Sequence, residues 1–346
     1  MKSVDVNGKQ YRLPEELNLF QQELYIHLID WKWAHISKEP GISHGQEFDA
    51  ILSESIVNNG PSPLLYEGIV EILDEHRKKN PFRIHQHFYH MASSQAANIN
   101  LFLPILNHTA VNSILRKIKP DFASLAKEEL DNGYCIEYWG GKFLGVDGNT
   151  GLLGDKSKIS GTDSDIAIAY HNHDGELCLW LIEHKLTEKE FTDCGGFKSE
   201  NRKKIPNYDC SKSFADILKN KSLCYYHGKN KFLYWDVTDQ HQSFFINHNS
   251  HTACPFRGGM NQLWRNQLLA LAIEKQERYK HVFFFVVKHQ GNTSLDKTLT
   301  AYSDLVNKNK KFGVFTSAAL LRAAEKYSDS QLDDWINWYK DLYKVS

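Results

Sequence analysis

No stretch of this chain is long and apolar enough to span a bilayer. No purely apolar run exceeds six residues, and one of that length, Val282 to Val287, suits a buried strand. Met1 opens a polar stretch without the basic-then-apolar order of an export signal, so a cytoplasmic protein is expected. Charge of one sign is lacking too: 41 Lys and Arg face 42 Asp and Glu, a net charge of −1. A protein that coats nucleic acid non-specifically is strongly basic, so any positive surface for DNA must be local. There is no internal repeat and no low-complexity tract. The glycine-dense loop from Gly140 to Gly161 holds no GxxxxGK[ST] motif, which sets aside a phosphate-loop nucleotide hydrolase. The six cysteines include no CxxC pair, and without an export signal they read as thiols or metal ligands before disulfides.

What is present is ordinary globular material: 346 residues, 41% hydrophobic and 24% charged, enough to bury a sizeable core. Apolar periodicity predicts helices near Leu17 to Trp33, Ser62 to Lys79, Ser93 to Leu106 and Pro120 to Leu130. Ser93 is a plausible N-cap, and Pro104 should stop or kink its helix. Nothing in 1–130 reads as a strand. Tyr134 to Tyr138 does, followed by Asp165 to Tyr170 and Glu176 to Lys185 around the turn signal HNHDG. Loops and short helices are expected over Thr187 to Ser222, and short strands at Phe232 to Val237 and Ser243 to Ile246. A helix at Gln262 to Glu277, a buried strand at His281 to Lys288, a helix at Thr298 to Asn307, a strand at Phe312 to Thr316 and a terminal helical region broken near Ser328 complete the chain. This order predicts an α/β (α+β) fold, with a central mixed sheet flanked by helices. Three regions follow: a mainly helical part over 1–130, a core over 131–325 with a cysteine-containing insertion at 187–255, and a C-terminal helix over 326–346.

The segment GTDSDIAIAYHNHDGELCLWLIEHKLTE carries the chemistry. Strand side chains alternate, so Glu183 and Lys185 share a face with Leu177, Leu179 and Leu181, opposite Cys178, Trp180 and Ile182. A hairpin turning about Asp174 sets Asp165 across from Glu183. Two carboxylates and an ammonium then meet at one end of a strand that is apolar on both faces, where charges are costly unless used. Asp163 has the same parity and is an alternative to Asp165. An isolated E-x-K is commonplace, and its bland reading is a structural ion pair. The upstream Asp and the buried hairpin favour catalysis. Such hard oxygen donors suit Mg²⁺, and a neighbouring lysine suits charge developing on a phosphate.

This arrangement resembles the PD-(D/E)xK nuclease superfamily, with its restriction-endonuclease-like fold, and Asp165, Glu183 and Lys185 fall at its motif positions. Ser164 stands where the superfamily usually has proline. More narrowly, IEHKLTEKEF, SSQAANINLFLPIL and QLWRNQLLALA resemble a bacterial group of restriction endonucleases over roughly Glu47 to Leu321. The resemblance implies a Mg²⁺-dependent endonuclease, with Mn²⁺ able to substitute, acting on double-stranded DNA. It implies a metal held by Asp165, Glu183 and the backbone carbonyl of His184, and products with 5′-phosphates. A homodimer and a cognate DNA methyltransferase are further expectations of a type II restriction system. Superfamily members often place a carboxylate or Gln ahead of the catalytic Asp, which points to Glu137 and Gln95.

Gln262 and Arg265 share a helix face and could brace the metal or reach a phosphate, or simply form a polar surface. Cys194, Cys210, Cys224 and Cys254 all precede that helix and could hold structural Zn²⁺ or an iron–sulfur cluster, although their spacings are wider than a zinc ribbon's. His85, His87 and His90 read as structural or surface residues. Lys198 to Lys221 holds seven Lys or Arg against three Asp or Glu, a patch that suits phosphates or a solvated loop. The alternatives are a repair or recombination nuclease, an RNA-directed one, or a non-catalytic nucleic-acid-binding module on the same fold.

Overall fold

In the computed structural model, residues 2–141, 150–156, 161–199, 210–245, 252–327 and 329–346 are described. Much of the glycine-dense loop, residues 200–209 of the Lys198–Lys221 patch, Ile246 and the expected break at Ser328 therefore lie outside the described residues.

A six-stranded mixed sheet forms the centre. Its strands are β1 (Phe122–Leu125), β2 (Tyr134–Tyr138), β3 (Ser164–Asn172), β4 (Leu177–Lys185), β5 (His281–Lys288) and β6 (Phe312–Thr316). The order is β6-β5-β4-β3-β1, with β2 on the same edge of β3 as β1. β3 runs antiparallel to β4, while β4, β5 and β6 are parallel. The β3–β4 register pairs Ile166 with Ile182 and His171 with Leu177. Continued one residue outward, it sets Asp165 across from Glu183, as the turn about Asp174 predicts.

Strand alternation divides the interior in two. Ile166, Ile168, Tyr170, Cys178, Trp180 and Ile182 face a core built with α1 (Leu19–His35), α3 (Ser94–Leu106) and α8 (Ser330–Tyr343). Between α1 and α3 lies α2 (Val70–Lys79); α4 (Val111–Ile118) follows α3. Ala167, Ala169, Leu179 and Leu181 face a second core under α5 (Met260–Glu274) and α6 (Asp296–Leu305). The last helix pair, α7 (Ser317–Ala324) and α8, returns to the first face. Among the described residues no helix is long and apolar enough to cross a membrane.

Ser93 caps α3, its hydroxyl accepting from the Ala96 amide. Pro104 does not stop this helix. Proline cannot donate to the carbonyl four residues earlier, that of Asn100, and the Trp335 indole of α8 donates to it instead at 2.8 Å.

Several local expectations fail. Two small hairpins, Lys2–Val6 with Lys9–Leu13 and Gly41–Ser43 with Gln46–Phe48, stand in a region read as strand-free. The helix expected over Pro120 to Leu130 is strand β1, where the β3 ladder and a Phe122–Tyr170 ring stack at 4.9 Å override local propensity. The strand expected at Phe232 to Val237 is instead the helix Tyr234–Gln240. Its buried Tyr234, Trp235, Val237 and Thr238 follow helical spacing, and its aromatic content misled the strand reading. The expected strand at Ser243 to Ile246 is the short turn of helix Gln242–Phe245.

Candidate active site

The site opens where β3 begins and β4 ends, on the face covered by α5. Glu183 and Lys185 are almost enclosed, 4% and 7% exposed. The Lys185 ammonium lies 2.8 Å from Glu183 Oε1. Burial alone would lower the lysine's proton affinity, but Glu183, Glu188 and Asp165 outweigh it and hold the ammonium firmly charged. Asp165 accepts the backbone N–H of His184 at 2.6 Å. In a strand, one residue's N–H and C=O point to the same edge. The His184 carbonyl therefore also faces the Asp165 side, as a metal-ligating carbonyl there would need. Its imidazole is buried on the opposite face and kept neutral, pushed down to about 3 by burial and then by Lys185 and His289.

Ser164 secures the start of β3. Its buried hydroxyl lies 2.9 Å from the Ile182 carbonyl and 3.0 Å from the Ile166 carbonyl, tying β3 to β4 one residue before Asp165.

Helix α5 clamps the second carboxylate. Gln262 donates to Glu183 Oε1 at 2.6 Å and Asn266 to Oε2 at 2.8 Å. With Lys185 these donors occupy three of about four lone-pair positions of the carboxylate, so one remains for a cation. Asn266 was missed in the sequence, although it stands four residues after Gln262 and so on the same helix face. Arg265 takes a different direction from Gln262, toward Thr162 Oγ1 at 3.5 Å and the neighbourhood of Tyr234, Tyr226 and Asp155. Asp155 in turn accepts from Thr162 at 2.5 Å and Tyr234 at 2.6 Å.

The two upstream candidates meet each other: Gln95 of α3 donates to Glu137 Oε1 at 2.8 Å. Gln95 also donates to the Arg83 carbonyl and accepts the His85 amide, so one side chain joins the loop over Arg83–His85 to the carboxylate. His85 is close enough to feel the charges of Glu188 and Lys185. Glu137 has a φ of +53° within β2, a conformation uncommon for any residue but glycine. The strand's alternation breaks there, with Ile136 in one core and Tyr138 in the other. A backbone conformation costing of order 1–3 kcal/mol is typical of functional sites. Asn98 adds a bond from its amide to the Asp165 carbonyl at 3.2 Å.

The electrostatics are those of crowded acids. Burial first, then the charges of Glu183 and Glu137, push the Asp165 carboxyl well above the usual range, against the opposing pull of Lys185 and the His184 amide. Burial, then Asp163, raises Glu137 to about 8. Water reaches Asp163, yet the protein packed around its carboxyl, followed by Glu183, pushes it up to about 6. A cation placed among these oxygens would relieve that repulsion. Among the described residues no group of three or more His, Cys, Asp or Glu side chains is arranged to hold a metal ion. Mg²⁺ needs fewer, since it binds through one or two carboxylates and keeps several waters. Asp165, Glu183 and the His184 carbonyl fit that demand by donor type.

The six-stranded mixed sheet, helix-covered and with its acidic site at the end of the central hairpin, defines an α/β protein with a restriction-endonuclease-like core. The chain belongs to the family described as restriction endonuclease associating with ARP, which matches residues 34–344. Neither the curated proteins nor the solved structures include a significant match.

Proposed function

We propose that this protein is a metal-dependent endonuclease that hydrolyses phosphodiester bonds of double-stranded DNA, with a PD-(D/E)xK site and a role in restriction or phage defence. The observation that carries this is the meeting of Asp165, Glu183 and Lys185 at one strand end beneath α5. Asp165, Glu183 and the His184 carbonyl would hold Mg²⁺. When bound, the ion lowers the proton affinity of water and offsets charge on the phosphate.

The chain's own residues do the rest. Lys185, fixed by Glu183 and kept charged, offers its ammonium protons to a phosphate oxygen as negative charge grows there. Gln262 and Asn266 keep Glu183, and through it Lys185, in place; the Gln95–Glu137 pair braces the Asp165 side. Water adds to phosphorus and the bond from phosphorus to the 3′ oxygen breaks, leaving a 5′-phosphate and a 3′-hydroxyl. Cutting both strands suits a homodimer, and a restriction role suits a methyltransferase partner. The near-neutral net charge requires DNA contacts from local groups, of which Arg83 beside the site is one candidate.

The experiment is cleavage of unmethylated plasmid and phage DNA with Mg²⁺ or Mn²⁺, comparing wild type with Lys185→Ala. Discrete fragments lost in the variant support the restriction reading. A smear lost in the variant keeps the chemistry but moves the role to repair or degradation. A wild type inert on every DNA, with either ion, overturns the nuclease assignment.

A further inference from the structure

Four cysteines far apart in sequence, Cys194, Cys210, Cys224 and Cys254, line one small cavity of about 20 Å³ beside α5. Their segments are tied together independently of the thiols. The Gly195 amide donates to the Tyr226 hydroxyl at 2.9 Å, joining the stretches that carry Cys194 and Cys224. The Cys254 amide donates to the Lys212 carbonyl at 3.1 Å, and Ser213 bridges Ala253, joining those that carry Cys210 and Cys254. Cys254 is pushed well up, by burial and then by Cys224, Cys194 and Cys210, so all three lie within electrostatic reach of it.

The geometry points to a structural Zn²⁺ site formed by these four thiols, which clips the 187–255 insertion onto the start of α5. Four thiolates are a common zinc set, with Zn–S bonds near 2.3 Å. The cavity has room for about one water-sized sphere, which suits a single ion. Binding releases four protons and leaves a site of charge −2. Arg257 lines the cavity and Arg265 acts on Cys194, so two guanidiniums stand ready to offset that charge. The thiols line the cavity without converging on a point, in keeping with the absence of any three-residue metal group among the described residues. Closing on an ion requires the thiol side chains to move inward. The mechanical consequence runs through Phe256, two residues after Cys254, whose ring stacks on Trp264 of α5 at 4.3 Å and 1°. Gln262 and Asn266, which hold Glu183, flank that tryptophan in sequence.

The test is elemental analysis of the full chain, expressed with added zinc and desalted, with no DNA present, so its result is separate from nuclease activity. About one zinc per chain is expected, falling at least tenfold in Cys224→Ser and Cys254→Ser and kept in Cys135→Ala, whose thiol belongs to β2. Chelation should lower the melting temperature of the wild type alone. If the serine variants are insoluble, the wild-type metal content still decides. Wild type with less than about a tenth of a zinc per chain, and native thiols that react without metal release, overturns the site. Iron with sulfide and visible absorbance overturns the choice of zinc.

Discussion

Asn266→Ala probes whether Glu183 is held by α5 as the hydrogen bonds indicate. The carboxylate is 4% exposed and accepts from three groups: Lys185 and Gln262 on Oε1, and Asn266 on Oε2. Truncating Asn266 removes the donor to Oε2. A hydrogen bond to a charged group contributes about 1.5–3 kcal/mol, and an enclosed acceptor left without its donor costs a similar amount. The variant should therefore unfold at lower urea, with a loss of about 1.5–3 kcal/mol. Asn266→Asp should lose more, because it sets a second anion against Glu183. Cleavage should fall as well, since a loosened Glu183 no longer fixes Lys185. If the whole loss reached the transition state, the rate would drop roughly 10- to 150-fold. Urea unfolding followed by tryptophan fluorescence reads the first quantity, and a plasmid-nicking time course the second. An unfolding free energy for Asn266→Ala within about 0.5 kcal/mol of wild type would refute the clamp, since that is the scatter of an ordinary surface substitution.

Trp335→Phe should cost about 1–3 kcal/mol by baring the Asn100 carbonyl. The same change should cost less in a Pro104→Ala background, where residue 104 again has an N–H to give; equal costs in both backgrounds, by urea unfolding, would contradict the substitution of indole for backbone donor. His90 is pushed down to about 4 by burial and then by His87, and its Nδ1 accepts the Ala92 amide. A folded value below the unfolded one means its stabilisation is complete above about pH 6.5 and is lost as pH falls toward 4. His90→Asn keeps an acceptor for the Ala92 amide, so it should flatten the decline of unfolding free energy across that window. An unchanged slope would remove His90 from the acid response.

The hairpin and the meeting of its charged residues were legible because they rest on local rules. The midpoint turn at HNHDG, the period-two alternation around Leu177, Leu179 and Leu181, and the charges ending a doubly apolar strand all follow from neighbours in sequence. The β5 and β6 strands and α5 were legible for the same reason. The misread elements owe their form to distant partners. β1 is a strand because β3 offers a ladder, and Tyr234–Gln240 is a helix because its spaced aromatics meet the core under α5.

The site divides the same way. Alternation and the hairpin register together put Asp165, Glu183 and Lys185 on one face, because opposed residues of paired strands share a side. Which groups hold them was decided only in three dimensions. Gln262 and Asn266 reach Glu183 across 79 and 83 residues of chain, and Gln95 reaches Glu137 across 42. No sequence period encodes those distances, nor the direction Arg265 takes away from its helix neighbour. The gathering of Cys194, Cys210, Cys224 and Cys254 belongs to the same class: spacings too wide for any motif are brought to one cavity by hydrogen bonds between their segments. Periodicity records which side a residue faces, whereas the packing of helices on that side determines what it meets.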